Sequence, residues 1–235
     1  MQIFRTFVEV RLRPANATPH PMENLTESTE ETLRRIKRNL HGMMNGPVSS
    51  SMRQKGLAYK VNFGVELPRL QAFACELPHT YELAAALWKE DIRECRLLAG
   101  MLMPPECFDG ELADLWVSQM RYPEEAECTT LHLFSRMACA SDKAFEWMAS
   151  SQAKAQLCGF LLMARLLMQG AMPTRRDQQE FLDQAAAALQ SDDTATARAA
   201  GKALVKFMEL GPAQEREAEE VLARLQPPAA PYPEA

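Results

Sequence analysis

The sequence has little of what a β-rich, membrane-spanning or strongly basic protein needs. Glycine is scarce, 10 in 235 residues, and runs of β-branched residues are nearly absent, which removes the turn-and-strand alphabet of a sandwich or barrel. No window approaches the roughly 18 apolar residues of a membrane span, so no membrane partner is expected. The four histidines (His20, His41, His79, His132) form no local cluster with the cysteines, and no two cysteines are spaced C-x-x-C. Neither a metal site nor a cofactor is therefore expected. A Gly-rich phosphate loop and a G-x-S-x-G elbow are also missing. Positive charge is not in excess: 26 Lys and Arg against 31 Asp and Glu leave a net charge of -5. That counts against indiscriminate polyanion binding while leaving room for a local basic face.

What is present is a helix-forming diet of Ala, Leu, Met, Glu, Gln and Arg. All the cysteines except Cys107 (Cys75, Cys95, Cys128, Cys139 and Cys158) lie inside apolar helical patterns. They are expected to be reduced core residues, which points to a cytoplasmic protein. Residues 1–21, with Pro14, Pro19 and Pro21, form an irregular lead-in whose start lacks the apolar core and cleavage site of a secretion signal. A helical domain is expected over 22–226, followed by a Pro-rich tail, 227–235.

Within that domain the pattern predicts a first helix over 28–44, ended by Gly46-Pro47, and a short helix over 49–58. A turn over 59–66 then leads to a helix opened by Leu67-Pro68. An internal repeat follows: Glu82-Leu83-Ala84-Ala85-Ala86-Leu87-Trp88 reads like Glu111-Leu112-Ala113-Asp114-Leu115-Trp116 and, more loosely, Lys143-Ala144-Phe145-Glu146-Trp147. All three tryptophans sit at this one position, 28 and 31 residues apart. Each is expected to close a short helix before a longer one, with Asp91 and Glu94 as a capping box for the first long helix. Ala99, Gly100 and Gly159 would let neighbouring helices approach closely. A period near 30 built from helical pairs predicts an all-α superhelix, a solenoid of HEAT-like helical hairpins stacked to bury one continuous core. An irregular helical bundle is the alternative. Repetition in register marks the tryptophans as packing elements rather than base-stacking platforms, and Met101, Met103, Met163 and Met168 read as core filler.

The stretch from Tyr59 to Leu70 (YKVNFGVELPRL), Leu83 to Trp88, the E-x-R-x-x-A segment Glu94-Cys95-Arg96-Leu97-Leu98-Ala99, and Ala200-Gly201-Lys202-Ala203-Leu204 together resemble the DNA alkylation repair (AlkD-like) family over roughly residues 25–215. The resemblance implies a superhelix that cradles duplex DNA, alkylated DNA included, on its concave face. It also implies monofunctional N3/N7-alkylpurine glycosylase activity, in which a carboxylate stabilises the developing oxocarbenium sugar and orients water. The family's W-D-x-x-D stretch falls on Pro123-Glu124-Glu125-Ala126-Glu127, which places Glu127 at the catalytic carboxylate. Pro123, with Tyr122 beside it, stands at the Trp position. The phosphate-holding Arg position falls near Gln156-Leu157, and a second aromatic position falls on Lys202. One carboxylate is thus retained and three supporting groups are replaced.

Glu127 also reads as a first-turn acid favoured by the helix dipole, beside Glu124 and Glu125. Arg198, Lys202 and Lys206, at i, i+4 and i+8, form a basic stripe that would contact successive phosphates or simply face solvent. Arg53, Lys60, Arg69 and the loop pair Arg175-Arg176 are further candidates for gripping a DNA backbone, with ordinary surface charge as the other reading. Arg93 and Arg96 are expected to be structural, Arg96 pairing with Glu94, Asp91 or a carboxylate of a neighbouring repeat. The expected function is a DNA alkylation repair-family protein binding duplex or damaged DNA, with glycosylase activity at a degenerate site as its finer form. The alternative is a non-enzymatic HEAT-like adaptor for a nucleic-acid structure or a protein partner.

Overall fold

The computed structural model describes residues 28–225; the expected lead-in 1–21 and tail 227–235 lie outside them. Twelve α-helices occupy the described residues: α1 Thr29–Gly42, α2 Gly46–Gln54, α3 Leu67–Ala74, α4 Tyr81–Trp88, α5 Arg93–Leu102, α6 Gly110–Gln119, α7 Pro123–His132, α8 Ala140–Met148, α9 Ala153–Met168, α10 Arg175–Leu189, α11 Thr194–Met208 and α12 Pro212–Leu225. No strand occurs among them; Val61 and Ile92 make a single bridge. The chain forms two compact units that divide at residue 140.

In the first unit α4 packs on α5, and α5 on α3 and α7. The links between successive hairpins repeat with the period read from the tryptophans. Side-chain bonds join seven residue pairs 29 to 31 apart: Phe63 and Val65 to Glu94, Trp88 to Gln119, Arg93 to Glu124, Arg96 to Glu125, Arg121 to Asp91 and Cys128 to Leu97. Each repeat is thus tied to its neighbour by side chains in equivalent positions, as nearest-neighbour stacking requires. Trp88 and Trp116 stack with ring centroids 4.0 Å apart and planes 2° from parallel, and all three tryptophans are at most 4% exposed.

Glycine permits the close approaches. A Cβ on Gly100 would meet Thr129 Oγ1 at 3.0 Å, and one on Gly159 would meet the Met148 nitrogen at 2.5 Å. Gly64 has φ +72°, and a Cβ there would lie 2.3 Å from the Asn45 carbonyl oxygen, so this turn accepts only glycine.

In the second unit α11 packs against α9, α10 and α12, with Phe181 and Phe207 in contact at 5.2 Å. Thr174 caps α10 and Asp193 caps α11.

Several local expectations are corrected. Gly46-Pro47 does not end the first helix. Asn45 caps the Val48 amide, so Gly46 and Pro47 begin α2. Asp91 and Glu94 form no capping box, and Ile92 is the N-cap of α5. Glu94 is fully buried and accepts the Phe63 and Val65 amides instead, at 3.1 and 3.2 Å. Leaving those amides buried and unpaired would cost about 1–3 kcal/mol each, more than an exposed cap returns. Trp116 sits one turn before the end of α6, and α6 and α7 have equal length. Cys75 is exposed rather than core. So is Met168, whereas Met101, Met103 and Met163 are buried.

Candidate nucleic-acid interface and carboxylate cluster

α7 carries the carboxylates of the expected catalytic stretch, and their places around the helix send them to different fates. Glu125 is 1% exposed. Arg96 donates to it through Nε at 2.7 Å and Nη2 at 3.1 Å, and the Arg121 amide adds a third bond at 2.9 Å. The Arg96 guanidinium also lies 4.0 Å from the centroid of the Trp88 ring and donates to the Trp88 and Gln119 carbonyls. Four of its five N–H donors are therefore used within the fold.

Glu124 is held bidentately by Arg93, through Nε at 3.0 Å and Nη2 at 2.9 Å. Arg93 further donates to the Val65 carbonyl and to Glu94. Burial works against its charge, but the hydrogen bonds and charges of Glu124 and Glu94 outweigh that and hold the guanidinium above its ordinary pKa. Both arginines are structural, as expected, and Arg96 takes its carboxylate from the next repeat.

Glu127, two residues on, is exposed and has no ion-pair partner among the described residues. Tyr122 is half-buried and is not free to stack on a base. Its ring lies 4.5 Å from that of Tyr59, and its hydroxyl accepts the Ala58 amide at 3.0 Å. The Tyr59 hydroxyl is buried without a hydrogen-bond partner. Burial first, then the Glu125 and Glu124 charges, push its pKa far up, so it stays neutral. At the phosphate-holding position, Leu157 is buried and Gln156 bonds the Met148 carbonyl at 3.5 Å. No group of three or more His, Cys, Asp and Glu among the described residues could hold a metal ion.

The candidate cations divide between the two units. In the first, Arg53 in α2, Lys60 in the following turn and Arg69 in α3 are all exposed. In the second, Arg198 and Lys202 lie on one exposed stripe of α11, while the buried residues Thr196, Ala199, Ala200, Ala203, Leu204 and Phe207 form its inner face. Lys206 differs from its stripe partners because Glu209 accepts its ammonium at 2.7 and 2.8 Å. Arg175 and Arg176 are not in a loop. They open α10 directly after its Thr174 cap, exposed and without an ion-pair partner among the described residues. The macrodipole disfavours cations at that end, so helix stability does not account for them.

The solved structures contain a counterpart. A member of a family of proteins related to the HEAT-like repeat DNA glycosylases, with affinity for branched DNA structures, matches at a TM-score of 0.72 and 16% identity, over 82% of this chain and 82% of that one. The fold is therefore of the HEAT-like repeat DNA glycosylase type. The family model of the DNA alkylation repair enzymes matches residues 22–223, and the chain belongs to that family. No curated protein matches the sequence.

Proposed function

We propose that this protein binds duplex DNA, alkylated or structurally irregular, as a member of its family in which the carboxylate cluster of α7 serves as scaffold. The observation that carries this reading is the state of Glu124 and Glu125. Both are committed to bidentate pairs with Arg93 and Arg96 across the repeat boundary. Neither is available to stabilise an oxocarbenium ion or orient a water. Within the second unit DNA is held electrostatically by Arg175, Arg176, Arg198 and Lys202; within the first, Arg53 and Lys60 are candidate phosphate contacts of their own. The concave-face placement and cytoplasmic location expected from the sequence are part of the same proposal.

A second reading keeps glycosylase activity with Glu127 as the catalytic carboxylate. It is favoured by that residue's exposure and its lack of an ion-pair partner among the described residues. Against it stand the engagement of Tyr122 and, at the sequence position where the family resemblance expects a phosphate-holding arginine, Gln156 and Leu157. The two are separated by incubating the protein with N-methylated duplex and measuring binding and released base on the same sample. Binding without release supports the proposal. Release that Glu127→Gln abolishes establishes the enzyme, and an absence of binding at low salt leaves the protein-partner adaptor.

A further inference from the structure

The turn between α9 and α10 combines two chemistries that are not needed together for folding. Met168, the last residue of α9, is 57% exposed, and Met172 is 50% exposed. Arg175 and Arg176, exposed and unpaired among the described residues, follow after Pro173 and Thr174. Scattered exposed methionines are ordinary; these two are held out by a turn that is fixed on both sides.

On one side α9 ends in a Schellman motif. The Gly170 amide bonds the Leu167 carbonyl and the Ala171 amide bonds the Leu166 carbonyl, both at 3.0 Å, with Gly170 at φ +88°. On the other side the Thr174 hydroxyl accepts the Asp177 amide and donates to the buried Asp177 carboxylate at 2.7 Å. Gln178 bonds the Pro173 carbonyl at 2.8 Å. Ala171 and Pro173, which flank Met172, are both buried. The backbone is anchored on each side of Met172, so its thioether cannot be drawn into the core by a small loop shift.

We propose that this turn is a DNA wedge: Met172, supported by Met168, inserts at an opened base step of duplex or branched DNA while Arg175 and Arg176 hold the flanking phosphates. The inference rests on the DNA-binding reading above. An unbranched, polarizable apolar side chain is suited to enter a base step, and partial unstacking costs least where pairing is already interrupted. Guanidinium groups beside the wedge supply the attraction that offsets the unstacking cost. A rigid turn suits this use because little ordering remains to be done on binding.

The test uses the full chain and DNA carrying 2-aminopurine at a four-way branch point, with a linear duplex of equal length as comparison. The wild type is expected to bind the branch and raise the 2-aminopurine fluorescence. Met168→Ser combined with Met172→Ser should retain a wild-type melting temperature and lose both the fluorescence rise and the preference for the branch. Arg175→Ala combined with Arg176→Ala should weaken binding to every DNA and lower the salt slope by about two. A wild type that binds without a fluorescence rise overturns the wedge, as do serine variants that unstack the base normally; either result leaves the DNA-binding proposal standing. A wild type that binds neither DNA at low salt removes both. If the serine variants lose binding to anionic lipid vesicles but none of their DNA behaviour, the turn belongs to a membrane surface and the wedge is rejected.

Discussion

Arg96 and Glu125 meet in a bidentate pair across two successive helical repeats, 2.7 and 3.1 Å apart, with both side chains at most 5% exposed. The same arginine covers the Trp88 ring. The E-x-R segment, read from the sequence as a mark of family, therefore acts as a clamp between repeats, with Glu94 and Arg96 facing opposite neighbours.

Removing one partner of such a pair strands the other charge in the interior. Glu125→Ala should cost about 3–5 kcal/mol of folding free energy, measured by chemical denaturation. Glu127→Gln, two residues away and exposed, should stay within about 0.5 kcal/mol of wild type. Equal costs at the two positions would contradict the division of α7 into a scaffold side and an open side.

The glycine contacts give a second contrast. Gly159→Ala places a methyl 2.5 Å from the Met148 nitrogen, and separating α8 from α9 should cost about 1–3 kcal/mol or more. Gly42→Ala meets nothing within 4 Å in the last residue of α1 and should be neutral or stabilise by up to about 1 kcal/mol. Thermal melts of the two variants check the difference.

Burial pushes the thiols of Cys95, Cys128 and Cys158 from 9 up to about 12. In the unfolded chain they ionise near the lower value. Between the two, unfolding releases protons, so their contribution is whole below pH 9 and declines as pH rises toward 12. Melting temperature should fall across that interval. At pH 8 a thiol reagent should label exposed Cys75 and Cys107 rapidly and reach Cys95, Cys128 and Cys158 only on unfolding. Rapid labelling of all six thiols would refute the packing described.

The basic stripe of α11 should not act uniformly. Arg198 and Lys202 are exposed and unpaired among the described residues, whereas Lys206 is held by Glu209. Arg198→Ala and Lys202→Ala should each lower the salt slope of DNA binding by about one, and Lys206→Ala should change it less. Titrations at several salt concentrations resolve the three.

The repeat register was legible in the sequence because it is periodic: three tryptophans 28 and 31 residues apart located the hairpins, although Trp116 falls one turn short of its helix end, and Gly100 and Gly159 marked where helices touch. The partners of Arg93 and Arg96 were not legible individually. A carboxylate some 30 residues away is selected by the stacking of repeats, and local spacing offered nearer candidates in Asp91 and Glu94. The same limit applied at the interface. Apolar periodicity assigned Met168 to the core, but the Schellman turn at Gly170 ends α9 and leaves that side chain in water. The engagement of Tyr122 depended on Ala58 and Tyr59, two repeats earlier in the chain.

The most direct test of the account is the salt dependence of wild-type binding to a four-way junction and to a linear duplex, followed by fluorescence anisotropy. Binding to both is expected at low salt, tighter to the junction, with affinity falling linearly on a log–log plot as salt rises. Absence of binding at low salt, or an affinity indifferent to salt, would contradict it.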